Sequence, residues 1–152
     1  GEIAGAAGVR GMVGGQFLDV SDVPGGAEEN VRLLHQMKTG RLIEASVDCG
    51  ALLAGIGEED RARLKVFARE LGLLFQIKDD ILDVVGETSV LGKVAGADAR
   101  LERLTYVSVH GLDEAEKLAE KSRDKALAAL AGVSGETGAL AGIAHYIYER
   151  RK

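Results

Sequence analysis

The sequence predicts an all-α fold, a bundle of about six helices packed side by side. Apolar residues recur at helical spacing over long segments, and no alternating strand pattern competes with them. A single proline interrupts the chain. Turn-forming residues gather at a few points, between runs long enough for several helical turns.

Residues 1–19 are glycine-rich and mostly apolar. Gly5, Gly8, Gly11, Gly14 and Gly15 recur at spacings of three and four. One helix with a glycine face is expected, against which another helix packs closely. Each Gly costs a helix interior about 1 kcal/mol against Ala, so packing must hold it. Glu2, Arg10 and Asp19 argue against a membrane-dimerising helix. The dinucleotide fingerprint G-x-G-x-x-G is absent. Gln16 and Asp19 make a small polar patch near the end of the run. Residues 21–26 are a loop by composition.

A second helix is expected over residues 27–53, with Val31, Leu34, Ala45, Cys49 and Leu52 on its apolar face. Lys38-Thr39-Gly40-Arg41 interrupts it, as a bend, a point of close approach or an ordinary solvated turn. Gly55-Ile56-Gly57 is a break. A third helix is expected over residues 58–85. Glu58, Glu59 and Asp60 crowd its first turn, where the helix dipole favours negative charge. Leu64, Phe67, Leu71, Leu74, Ile77 and Ile81 form its core stripe, which Val84 and Val85 can join. Gly86 is the expected C-cap.

Residues 86–106 read as loop with short helical pieces. Residues 86–93 imitate a phosphate-binding P-loop, but five residues separate Gly86 from Gly92 and Val94 replaces the needed Ser or Thr. A calcium loop also fails, for lack of alternating Asp or Asn. Asp113 is the expected N-cap of a helix reaching Ala131, with Glu116 as its capping-box partner. Leu118, Leu127 and Leu130 face inward, and Gly132 ends the helix. A last helix spans residues 137–149, with Leu140, Ile143, Ala144 and Ile147 inward. The basic Arg150-Arg151-Lys152 that follows suits a helix C-terminus.

The chain has 152 residues and a formal charge of −5, which suits one globular domain and not a nucleic-acid binder. The lone Cys49 rules out an internal disulfide and fits a reducing, cytoplasmic compartment. No signal-peptide pattern and no run of about 20 apolar residues is present, so no membrane association is expected. The first residue is Gly and not Met, as in a processed product or a fragment.

The chemistry concentrates in Phe75-Gln76-Ile77-Lys78-Asp79-Asp80-Ile81-Leu82-Asp83. Spacings of three and four bring Gln76, Asp79, Asp80 and Asp83 close together on one helix. Like charges about 4 Å apart repel by roughly 4 kcal/mol near a protein surface. The cluster also sits at the end of the helix that the dipole makes unfavourable for anions. It either faces open water or is neutralised by a cation. Carboxylates without His or Cys suit Mg²⁺, which takes one or two of them and completes its shell with water and phosphate oxygens.

Several separated pieces together resemble one family. They are residues 14–19 (Gly-Gly-Gln-Phe-Leu-Asp), Lys38-Thr39-Gly40, residues 75–83, Leu91-Gly92-Lys93, Gly96-Ala97-Asp98, Thr105-Tyr106 and Arg150-Arg151-Lys152. In order and spacing the chain is similar to the C-terminal half of a short-chain trans-polyprenyl diphosphate synthase, of the farnesyl or geranyl diphosphate type. The resemblance implies an isoprenoid-synthase helical bundle of which residues 1–152 are the C-terminal part of a single domain. It implies a Mg²⁺-dependent prenyltransferase that joins an allylic diphosphate to isopentenyl diphosphate through an allylic cation. Asp79 would be the direct metal ligand, with Asp80 and Asp83 acting mostly through metal-bound water. Lys38 and Lys93 would contact the allylic diphosphate. Thr39 and Gln76 would face the cationic carbon, and Phe75 would wall the pocket. The basic tail, with Arg150 and Lys152, would close over the isopentenyl diphosphate site. A homodimer is the expected assembly.

Two departures from the family pattern stand out. Arg103 replaces the usual Lys before Thr-Tyr, and the first Asp-rich motif with its neighbouring basic residues is absent. The chain by itself is therefore expected to be inactive. The alternative is a non-catalytic helical module, a binding or regulatory half of such an assembly.

Overall fold

A computed structural model describes residues 1–21, 26–91 and 104–151; of residues 87–91 it describes the helical backbone. Among the described residues every regular element is helical. In chain order these are α1 (Glu2–Ala7), α2 (Met12–Asp19), α3 (Ala27–His35), a π-turn (Gln36–Gly40), α4 (Arg41–Leu53) and α5 (Glu58–Leu91). Then come α6 (Tyr106–His110), α7 (Leu112–Ala131) and α8 (Gly138–Glu149).

α5 is the axis of the molecule. Its expected stripe of Leu64, Phe67, Leu71, Leu74, Ile77 and Ile81 is buried throughout. Burying a side chain of this kind contributes about 1.5–3 kcal/mol. α7 lies along α5 more extensively than any other pair of helices. The reason is side-chain size: α7 turns Ala115, Ala119, Ser122, Ala126 and Leu130 inward, and small residues let helix axes approach. Leu118 and Leu127 flank that face as half-buried packing.

The glycine-rich run is two short helices, not one. Gly8 is extended and Gly11 leaves helical geometry. The turn is so tight that a Cβ on Gly11 would lie 1.9 Å from the Ala6 carbonyl oxygen. The expected close approach falls at Gly15, where a Cβ would lie 2.3 Å from the Lys38 backbone nitrogen. α3 runs through the π-turn into α4, so Lys38-Thr39-Gly40 marks an inserted residue in a continuing helix.

Other boundaries differ from expectation. α5 runs past Gly86 to Leu91, so Gly86 is not its cap. Val84 and Val85 are 40% and 48% exposed, because periodicity does not register where neighbouring helices stop. Leu52 and Ile143 are exposed for the same reason. α7 starts one residue before Asp113, after Gly111 at φ 82°, and has no side-chain cap. The capping box is at α6, where Thr105 and Ser108 satisfy each other's backbone N–H groups. Among the described residues no helix is long and apolar enough to cross a membrane.

Candidate active site

The π-turn, the second half of α5 and the start of α6 enclose a cleft of about 400 Å³. Asp19, His35, Lys38, Gln76, Asp79, Asp80, Asp83 and Thr105 line it. Five residues expected at a site from sequence, Lys38, Gln76, Asp79, Asp80 and Asp83, therefore share one cavity.

A chain of hydrogen bonds ties the lining residues Gln76 and Asp80 to Thr39 and Tyr106, which do not themselves line the cleft. Thr39 Oγ1 donates to Gln76 Oε1 at 3.2 Å, and Gln76 Nε2 donates to Asp80 Oδ1 at 3.2 Å. Asp80 Oδ2 accepts the Tyr106 backbone N–H at 2.8 Å. Both Asp80 oxygens are thus engaged, and the residue is 5% exposed. Burial pushes its pKa up to about 6, against the Tyr106 and Gln76 hydrogen bonds and with help from Asp79 and Asp83.

Asp79 is half exposed and pairs with Arg150, whose Nη2 donates to Asp79 Oδ1 at 3.0 Å. The same nitrogen donates to the Phe75 carbonyl at 3.3 Å, and the guanidinium lies 4.5 Å over the Phe75 ring. Phe75 thus seats the tail arginine; it is not among the residues lining the cleft. Asp83 is exposed. Lys38 Nζ donates to Asp19 Oδ2 at 2.7 Å, and both residues line the cleft as an ion pair. Lys93, Arg103, Gly96-Ala97-Asp98 and Lys152 lie outside the described residues.

Sequence reasoning missed His35, and it noted Tyr106 only within the Thr105-Tyr106 string, with no role. His35 is 6% exposed, and burial, then Lys38, lower its pKa to about 4 against an opposing pull from Asp19. Its ring lies 5.2 Å from that of Tyr106, itself buried. The available signal was spacing: His35 is one helical turn before Lys38.

Among the described residues no group of three His, Cys, Asp or Glu side chains is placed to hold a metal ion. Asp80 is buried with both oxygens engaged, whereas Asp79, half exposed and paired with Arg150 through Oδ1, and the exposed Asp83 stand four residues apart on one helix. An oxygen-only donor set of one or two accessible carboxylates fits Mg²⁺ completed by water and phosphate oxygens, and not an all-protein cage.

Among the described residues the fold is helices gathered on one long helix that carries an Asp-Asp-x-x-Asp cluster, as the resemblance to isoprenoid synthases implies. The profile of the polyprenyl synthetase family matches residues 6–136, and the chain belongs to that family. It is 45% identical to the farnesyl diphosphate synthase of Escherichia coli K12, covering 99% of this chain and 52% of that protein. It is 40% identical to a heterodimeric geranylgeranyl pyrophosphate synthase large subunit of Arabidopsis thaliana, over 99% and 42% respectively. Its fold matches the crystal structure of an FPP/GFPP synthase from Zymomonas mobilis with a TM-score of 0.79 and 35% identity, over 96% of this chain and 48% of that one. The chain spans about half the length of the relatives it matches.

Proposed function

We propose that residues 1–152 are the C-terminal part of a polyprenyl synthase domain. Joined to an N-terminal half, they condense an allylic diphosphate with isopentenyl diphosphate in isoprenoid biosynthesis. The observation that carries this reading is the cleft itself, where Asp79, Asp80 and Asp83 share one cavity with Lys38 and Gln76, and a half-buried chain of hydrogen bonds runs from Thr39 through Gln76 to Asp80.

Asp79, with Asp83, would hold Mg²⁺, which when bound neutralises charge growing on a departing diphosphate. Lys38, released from Asp19, sets a point charge against the allylic diphosphate. Thr39 and Gln76 hold oxygens beside the carbon that becomes positive. Asp80 accepts from Gln76 and from the start of α6, and so fixes the orientation of that amide. Lys93 contributes to diphosphate binding, and the basic tail, with Lys152, covers the isopentenyl diphosphate. Arg150 begins on Asp79 and must yield it as the site is loaded. The working assembly is a cytoplasmic homodimer of completed chains.

Support for a missing companion comes from the front of the molecule. Val9, Val13, Phe17 and Val20 are 76%, 50%, 67% and 75% exposed, an apolar surface that a partner segment would cover.

The test is a pair of assays with dimethylallyl and isopentenyl diphosphates and Mg²⁺. The chain alone should give no product above a heat-killed control. The chain fused behind the N-terminal half of the Escherichia coli relative should give prenyl diphosphate. A folded but inactive fusion would favour the non-catalytic module, and turnover by the chain alone would show that no companion is needed.

A further inference from the structure

The π-turn that carries Lys38 and Thr39 is met from two sides in the same manner. On α2, Gly15 is buried, and a Cβ there would lie 2.3 Å from the Lys38 backbone nitrogen and 2.6 Å from the Lys38 Cα. Four residues further on, Asp19 accepts from Lys38 Nζ at 2.7 Å. On α5, Gly72 is buried, and a Cβ there would lie 3.1 Å from the Gly40 Cα. Four residues further on, Gln76 accepts from Thr39 Oγ1 at 3.2 Å. Residues four apart share a helix face. Each wall helix thus presents bare backbone to the main chain of the π-turn and, one turn later, a polar group to its side chain.

Backbone can lie this close to backbone only where no Cβ intervenes. A side chain on Gly15 would meet main-chain atoms, which cannot rotate away. At Gly72 the conflict is milder, and Gly40 would have to give by a few tenths of an ångström. Thr39 is the neighbour of Gly40. Its bond to Gln76, at 3.2 Å, is already longer than the usual O–H···O distance of about 2.7–2.8 Å. It is the first contact that such a displacement breaks. Gly50 on α4 is a helix glycine of another kind, since a Cβ there would meet nothing within 4 Å.

We propose that Gly15 and Gly72 are positioning residues of the cleft. They seat the π-turn against α2 and α5, and so hold Lys38 on Asp19 and Thr39 on Gln76. Neither glycine touches substrate. The consequence for turnover rests on the function proposed above, whereas the seating of the π-turn is a property of the chain itself.

Gly72→Ala is the deciding variant, because Gly15→Ala faces backbone and can unseat α2 altogether. Gly72→Ala gains helix propensity, so the fold should survive with melting close to wild type. In the full chain, labelled for NMR, the Gln76 side-chain amide reports the Thr39 hydroxyl. Thr39→Val removes that donor and should shift the Gln76 signal in the wild-type background. In the Gly72→Ala background this response should be largely lost, since the contact is already broken. Gly50→Ala adds the same methyl where there is room and should leave the response intact. In the fused synthase, Gly72→Ala should lower kcat by about tenfold, the scale of one lost hydrogen bond, with KM for both diphosphates nearly unchanged. Adding Thr39→Val should then lower kcat little further. An undiminished Gln76 response in Gly72→Ala, or one diminished equally by Gly50→Ala, would overturn the proposal. So would an unchanged kcat in an active fusion whose Gln76 response is lost, because the glycines would then seat the π-turn without bearing on the reaction. If the fusion is inactive with both glycines intact, the proposed function fails, and the Gln76 signal still decides the seating.

Discussion

α5 carries Glu58, Glu59 and Asp60 in its first turn, and Asp79, Asp80 and Asp83 towards its other end. The first group is matched on the spot. Asp60 accepts the Ser134 N–H at 3.1 Å and Arg63 at 2.9 Å, and Glu59 takes the other arm of Arg63 at 2.6 Å. The Ser134 N–H, with Arg63 assisting, holds the Asp60 carboxyl below the usual range. The second group is mismatched. It lies far from the helix N-terminus and buries one member, and Asp80 is pushed up to about 6. Acid spacing alone does not separate a structural cluster from a site. What separates them is that the first is met by neighbours in its own turn and by Ser134, whereas the second buries Asp80 and takes the Arg150 guanidinium on Asp79 from 71 residues away.

The largest expected effect breaks the comparison at Asp79. In the fused synthase, Asp79→Ala should lower kcat by a hundredfold or more, on the order of 3 kcal/mol, if it holds a cation that acts in the transition state. Stability should change little, because a neighbouring like charge is removed even as the half-exposed pair with Arg150 is lost. Paired melting and steady-state kinetics check this. Asp79 is structural if melting collapses while kcat per folded molecule survives.

Next comes acid. His35 is held neutral, with its pKa lowered from 6.5 to about 4. The unfolded chain then binds more protons than the fold between those values. This contribution to stability is complete above pH 6.5 and is lost as pH falls towards 4. Its size is on the order of 3 kcal/mol. Asp80 works in the opposite sense, since its raised pKa makes protonation of the fold favourable below about 6. The difference between wild type and His35→Gln isolates the imidazole. Wild type should lose stability relative to the variant across that window in denaturant melts. Parallel curves would mean that His35 titrates normally.

Much of this contrast was legible in the sequence, and the reasons for the remainder are physical. The α5 stripe was readable because a 3.6-residue period records which side chains face a core. Val84 and Val85 were not, because the end of a core depends on where the antiparallel α7 begins. Asp113 had the local form of an N-cap, but Gly111 at positive φ turns the chain in two residues earlier. In the cleft, Lys38, Thr39, Gln76 and the three aspartates lay in recognisable strings. Thr105-Tyr106 did too, but the role of Tyr106 was not readable, since it meets Asp80 through a backbone N–H from 26 residues away. The Arg150–Asp79 pair spans 71 residues, and no local pattern encodes a contact of that length.

A smaller effect is expected at Asp80. Asp80→Ala strands the buried Tyr106 N–H and one Gln76 proton. An unsatisfied buried donor costs about 1–3 kcal/mol. Removing a desolvated charge beside Asp79 and Asp83 offsets part of that, so the net loss should be about 1 kcal/mol in chemical denaturation. Asp80→Asn, which keeps an acceptor, should lose less. A gain in stability from Asp80→Ala would mean that repulsion, and not the bond to α6, dominates there.

The smallest effect is expected at Asp60, and it sharpens the contrast from the other side. Asp60→Asn keeps an oxygen for the Ser134 N–H but removes the charge facing Arg63 and the start of α5. Arg63 retains Glu59 as a partner, so no cation is left stranded. The pair is near the surface and screened, so melting should fall only slightly, more at low salt than at high salt. The pH dependence has a definite sign. A carboxyl held below its ordinary 3.8 stabilises the fold above that value and loses the contribution as pH falls below it. Wild-type and Asp60→Asn melting curves should therefore converge in acid below pH 3.8, a window distinct from that of His35. In the fused synthase, kcat and KM should not move, because nothing at this end of α5 reaches the cleft. If Asp60→Asn slowed turnover as Asp79→Ala is expected to, the acids at the two ends of α5 would not have separate roles.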